Sequence, residues 1–238
     1  MKKILISTII ATVLLSSAFL AIPVISQSPY EKIVFVHYHK DKGSNGAAVT
    51  CSDQVADYKF LTRPVVKWTS KVSYSVNPTN SKLDGNAVLS ALSASSATWD
   101  SSTGFPLFNQ PTSDSSAKPN LNSADSKHTV SWEDLSTLGF SNNVIAVTYV
   151  WYNRYTGQIA DFDMMMNTKY TWSVSGDKSA MDVKNIATHE LGHAVGLSDL
   201  YNNKDCGLTM YGYSGYGETM KQTLGKGDIL GLQALYGS

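Results

Sequence analysis

Residues 189–199 read His-Glu-Leu-Gly-His-Ala-Val-Gly-Leu-Ser-Asp, a stretch of the form H-E-x-x-H-x-x-G-x-x-D. On a helix, residues four apart share a face, so His189 and His193 can aim ring nitrogens at one metal ion. Glu190 follows the first of them and stands to the side, where a carboxylate can take a proton from water. Gly196 lets the chain leave the helix through a conformation that other residues resist. The turn then carries Asp199 round as a third ligand. Three protein ligands and one open position is the catalytic zinc arrangement, whereas structural sites have four and no vacancy.

The chain has 238 residues, enough for one domain with an ample core plus a leader and extensions. Lys and Arg number 19, as do Asp and Glu, so no global charge steers it toward nucleic acid. Lys2 and Lys3 precede an apolar run from Ile4 to Ile25. That is the pattern of a secretory signal, cleaved after Ser26 or Ala21, or of an uncleaved membrane anchor. Residues 1–26 are therefore set aside from the fold, and the protein is expected outside the cell as a monomer. It would touch a membrane only through an uncleaved leader. Two cysteines, Cys51 and Cys206, most simply form one disulfide in an exported chain.

Residues 27–65 read as an N-terminal extension or short propeptide. Ile33–Val36 is a short strand candidate, and the following His37-Tyr38-His39 reads as a surface His-x-His rather than a metal site. Alternation in Val66–Trp68 and Val72–Val76 predicts the first strand of the main domain. From Asp84, a candidate N-cap, Val88, Leu92, Ser95 and Trp99 recur at helical spacing. Residues 105–127, rich in Ser, Pro, Asn and Asp, read as a long surface loop with room for one short strand. His128–Trp132, Val144–Tyr152 and Ile159–Met166 read as strands, the last two as a hairpin around Asn153–Gly157. Ala160, Phe162, Met164 and Met166 should share one face and pack in the core. A helix starts near Ser179–Asp182 and carries the motif. Asp228 opens a final helix with Ile229, Leu232, Leu235 and Tyr236 on its buried side.

With strands, a helix, more strands and then this motif, the chain resembles the metzincin metallopeptidases, and within them the matrixins. Leu208-Thr209-Met210-Tyr211 is similar to the clan's Met-turn, which implies that Met210 lies beneath the zinc. Gly227–Gly237 is similar to the final matrixin helix, and Lys67-Trp68 with Val72–Val76 to the first strand. The resemblance covers residues 66–238. It implies an α+β, sandwich-like zincin fold: a twisted, mostly parallel sheet with an antiparallel edge strand, two long helices and a C-terminal helix. It implies one catalytic zinc on His189, His193 and Asp199, with Glu190 as general base in the hydrolysis of protein or peptide bonds.

Asp199 stands where matrixins have histidine, as it does in the small metzincins called snapalysins. His128 is alone in its region, so a second, structural zinc is not expected. Asp161 and Asp163 are candidate calcium ligands, weighed against solvated aspartates. In the matrixin frame Cys51 also falls near the spacing of the propeptide cysteine that caps the zinc, without the surrounding motif. Disulfide, zinc-capping switch and free thiols all stay open. Substrate would lie extended along an exposed sheet edge, for which Val144–Val150 is the candidate. Tyr211–Tyr216 would line the pocket for the side chain following the cleaved bond, with an apolar or aromatic preference. Two other classes remain: a secreted binding or surface protein with a vestigial zinc site, and a zinc hydrolase of a non-protein substrate.

Overall fold

The computed structural model describes residues 28–40 and 50–238, so the leader at 1–26 lies outside the described residues. The chain contributes strands β1 (Tyr30–His39) and β2 (Ser75–Val76), helix α1 (Gly85–Asp100), and strands β3 (Thr112–Ser113) and β4 (Thr129–Glu133). Next come β5 (Val144–Asn153), β6 (Gln158–Asn167), β7 (Trp172–Ser173) and β8 (Met181–Asp182). Helix α2 (Val183–Ala194), strand β9 (Tyr213–Ser214) and helix α3 (Lys226–Tyr236) complete it. Seven strands form one mixed sheet in the order β3-β2-β4-β6-β5-β1-β9, and β7 and β8 pair separately. The β2–β3, β2–β4 and β4–β6 pairs are parallel, and β5 is antiparallel to both β6 and β1. This is the α+β architecture that the resemblance implies.

The helices form where the sequence pattern places them. Asp84 caps α1 by accepting from the Ala87 amide at 2.9 Å, which satisfies one of the free N–H groups at a helix start. Val88, Leu92, Ser95 and Trp99 all face inward. Asp182 caps α2 in the same way, through the Asn185 amide at 2.8 Å. The two helices pack on one face of the sheet, where Val130, Trp132, Val150, Phe162, Met164 and Met166 meet Leu92, Trp99, Ile186 and Leu191 in the main core. The methionines of β6 are thus packing residues, with Met165 alternating to a smaller cluster on the far face beside Val147 and Trp151. Ala160 departs from the expected face. The β5–β6 register slips between Trp151 and Tyr152, so Ile159 and Asp161 pair across while Ala160 has no partner, and Ile159 enters the core in its place.

Several expectations that involve the N-terminal part need correction. Val144–Val150 is not an exposed edge: β1 pairs along it from Tyr30–Asn153 to Tyr38–Val144. The short strand expected at Ile33–Val36 runs for ten residues, and His37 lies buried rather than on the surface. Alternation explains the burial, since a strand that turns Phe35 inward turns His37 inward too. Residues 50–65 also lie against the body. Lys226 N donates to Asp53 O at 2.7 Å and Ser198 N to Lys59 O at 2.7 Å. A Cβ on Gly227 would stand 2.0 Å from Asp57 O, so the glycines of α3 leave room for this segment. Cys51 and Cys206 are joined by a disulfide, Cα–Cα 5.1 Å, that anchors its start. Neither sulfur is then available to cap a metal. The first strand expected at 66–76 is reduced to Ser75–Val76, with single bridges at Lys67–Gln158 and Val72–Phe108.

Candidate active site

Helix α2 presents His189, Glu190 and His193 on the side facing β5 and β1, and all three are fully buried. Gly196, at φ 111°, ends the helix in the left-handed region, which its missing Cβ permits. The chain then returns so that Asp199 Oδ1 stands 3.2 Å from His189 Nε2 and 3.5 Å from His193 Nε2. The two Nε2 atoms are themselves 3.2 Å apart.

The other ring nitrogens decide what that triangle means. His189 Nδ1 donates to Thr209 O at 2.7 Å and His193 Nδ1 to Leu197 O at 2.9 Å. A neutral imidazole has one N–H, and these carbonyls take it. Both Nε2 atoms therefore turn lone pairs toward each other and toward a carboxylate oxygen. Asp199 Oδ1 is buried and has no hydrogen-bond partner. Two ring nitrogens and a carboxylate oxygen turned on one point can hold a cation; burial lowers His193, but the charge of Asp199 and its hydrogen bond outweigh that and raise it, so the pull on positive charge at this point is strong. Ligand atoms about 2.0–2.1 Å from a tetrahedral zinc lie about 3.3 Å from one another, which is the spacing found here. Burial lowers His189 to about 4, so it is neutral at pH 7. Burial alone would raise the Asp199 carboxyl, but the imidazoles of His193 and His189 outweigh it and hold the group well below the carboxylate range. Tyr201 steadies the carboxylate by donating to Oδ2 at 3.1 Å. The residues present fit a zinc ion.

Met210 forms the floor. A Cβ on Gly192, between the two histidines, would stand 2.2 Å from Met210 Sδ and 2.7 Å from Trp99 Cζ2. Only glycine at 192 lets the thioether and the indole reach the helix backbone. The turn is held by buried Asp228, which accepts from the amides of Thr209 at 2.8 Å and Met210 at 3.0 Å. Asp228 was expected to open α3; it lies inside the first turn and also accepts from Gly225 N at 2.8 Å. It thereby joins the helix start to the turn beneath the metal site.

Glu190 bridges two strands. Oε2 accepts from Thr148 Oγ1 of β5 at 2.6 Å, and Oε1 faces His37 Nδ1 of β1 at 3.1 Å. Burial raises its carboxyl, opposed by the neighbouring histidines. The wall formed by 211–216 is not wholly apolar, contrary to its composition. Ser214 Oγ accepts from Lys221 Nζ at 3.1 Å, and buried Lys221 is paired with Glu218. Lys221 escaped sequence reasoning, which placed Thr148 and Ser214 only through the segments that hold them and put His37 on the surface. The one available signal was the alternation Ile33, Phe35, His37, which marks a buried face.

Asp161 and Asp163 are buried, not solvated. Asp161 accepts from the amides of Asp125 and Ser126 at 2.6 and 2.9 Å and meets His128 Nδ1 at 2.6 Å. Asp163 accepts from the amides of Asn120 and Thr129 at 2.9 and 3.2 Å. Both are occupied by the 120–129 loop. Among the described residues, the clusters able to hold a metal are His189–His193–Asp199 and His37–His189–Glu190, which share His189.

No curated protein matches the chain. A model of the matrixin family matches residues 67–237, well over half of the sequence and all of the site just described except His37, and the chain belongs to that family of zinc metallopeptidases.

Proposed function

We propose that the protein is a secreted zinc-dependent endopeptidase in which His189, His193 and Asp199 hold the metal and Glu190 is the general base. The carrying observation is the convergence of two imidazole lone pairs on the partnerless Asp199 Oδ1. Zinc bound there would supply a Lewis acid for the peptide carbonyl and lower the pKa of water. Thr148 orients the Glu190 carboxylate through Oε2, which leaves Oε1 to accept a proton from the attacking water and return it to the departing amine. The carbonyls of Thr209 and Leu197 keep the histidines in the tautomer that presents Nε2.

Export is supported by the leader pattern and by the Cys51–Cys206 disulfide, which persists in oxidising surroundings. Among the described residues no helix is long and apolar enough to cross a membrane. Protein or peptide is the substrate class, and the intact Glu190 argues against a vestigial binding site, which would need no base. Casein cleavage that a chelator abolishes and zinc restores is the expected result. Glu190→Gln should retain zinc and lose about 10²–10⁴-fold in rate. Cleavage by that variant at the wild-type rate would remove Glu190 from the mechanism, and chelator-insensitive cleavage would remove the metal.

A further inference from the structure

Strand β1 lies where a peptide substrate is expected. It takes the β5 edge from Tyr30 to Tyr38. On its other side Tyr38 and His39 pair with Tyr213 and Ser214, the wall of the cleft. Tyr38 N donates to Gly212 O at 3.3 Å, His39 N to Asn143 O at 2.7 Å and Lys40 N to Ser214 O at 2.8 Å. Strand addition of this kind is how extended peptides are held by a sheet edge. Side chains two apart share a face. The Phe35 ring stacks on His193 at 4.0 Å, and the His37 ring stands 3.9 Å from His189. The stretch from Phe35 to His37 therefore passes the pair of histidines on the motif helix.

His37 does more than fill space. Its Nδ1 faces Glu190 Oε1 at 3.1 Å, the oxygen that Thr148 leaves open, and its Nε2 faces Ser214 Oγ at 3.0 Å. A neutral imidazole offers one donor and one acceptor, so it can satisfy Glu190 and Ser214 together. No ordinary packing residue would bring both groups to this place. With Cys51 bonded to Cys206, a thiol on the metal is not what closes the site.

We propose that β1 is an internal inhibitory strand that occupies the peptide cleft, with His37 engaging the general base Glu190. The inference rests on the peptidase reading above. Phe35 covers one metal ligand, His37 disarms the base, and backbone pairing with β5 and β9 holds the strand where a substrate must go. An extended, unfolded polypeptide and β1 then compete for one place, so the full-length chain cleaves slowly as long as β1 stays paired.

The test compares the full-length wild-type chain with His37→Ala, His37→Gln and Phe35→Ala. Casein cleavage and zinc content are followed, together with uptake of a fluorescent peptide of sequence Tyr30–His39. His37→Ala and Phe35→Ala should cleave at least about tenfold faster than wild type with the same zinc content, and should take up peptide that wild type excludes. His37→Gln, whose amide can still donate to Glu190, should stay close to wild type. Equal rates for wild type and His37→Ala would overturn the proposal, as would loss of activity in a zinc-loaded His37→Ala chain. If no form cleaves casein, the peptidase reading fails, and peptide uptake still decides the place of β1. Uptake by His37→Ala and not by wild type supports an occupied peptide cleft; no uptake by either form overturns it.

Discussion

His189 and His128 each stand beside a buried aspartate, the first 3.2 Å from Asp199 and the second 2.6 Å from Asp161. Residue types are alike and both carboxylates are buried, yet the two clusters are built for different ends. Around Asp161 and Asp163 every approach comes from a donor: four backbone amides and the His128 ring. Carboxylates saturated in this way fasten a loop to the outer face of the sheet. Around Asp199 Oδ1 the neighbours are the Nε2 atoms of two rings whose Nδ1 atoms already donate to Thr209 and Leu197. What separates a clasp from a metal centre is which atoms keep their lone pairs free, more than which residues are present.

The largest effect that can break this comparison is expected from Asp199→Ala. It removes a ligand, so its loss of zinc affinity should exceed the roughly 10–100-fold that an outer-shell partner costs. Unchanged zinc content by metal analysis would exclude Asp199 as a ligand. Asp161→Ala tests the other cluster. It leaves two loop amides and His128 without their acceptor and should cost about 2–3 kcal/mol in denaturant unfolding, with zinc content unchanged. Metal lost along with stability would mean that the clusters are not separate.

A pH series sharpens the contrast further. Burial lifts Asp163 from 3.8 to about 7, with Asp161 and Asp125 adding to it. Between those values the folded chain binds more protons than the unfolded one. This contribution to stability is therefore present at the acid end and is lost as pH rises toward 7. Asp163→Asn should flatten that part of the stability profile, an effect on the order of 1 kcal/mol; parallel wild-type and variant profiles would refute it. An effect of similar size is expected at the floor of the metal site. Gly192→Ala drives a methyl into Met210 and Trp99. Overpacking costs about 1–3 kcal/mol, and the gain in helix propensity returns up to about 1 kcal/mol. A net loss near 1 kcal/mol should appear as a lower Tm, and a stabilised variant would show that the thioether is not packed against this turn.

Much of this was legible from local pattern. Trp99, Leu92 and Val88 sit where a 3.6-residue period puts them, and Asp84 and Asp182 cap the helices that follow them. The β5–β6 hairpin follows from two β-branched and aromatic runs around Asn153–Gly157, although the bulge at Ala160 does not. A bulge depends on how the partner strand is paired, and one strand's alternation carries no trace of that.

The motif itself determined that His189 and His193 share a helix face and that Gly196 releases the chain, because both depend only on helix geometry and glycine's freedom. Local spacing could not decide the long-range events. Asp199 reaches the histidines because Tyr201, Thr209 and Leu197 fix the groups around it. Asp228 grips the Met210 turn across 18 residues, and His37 crosses 153 residues to meet Glu190. His37 read in isolation is a polar residue near a chain end. Only tertiary pairing of β1 with β5 and β9 supplied the burial and the two partners that make it part of the site.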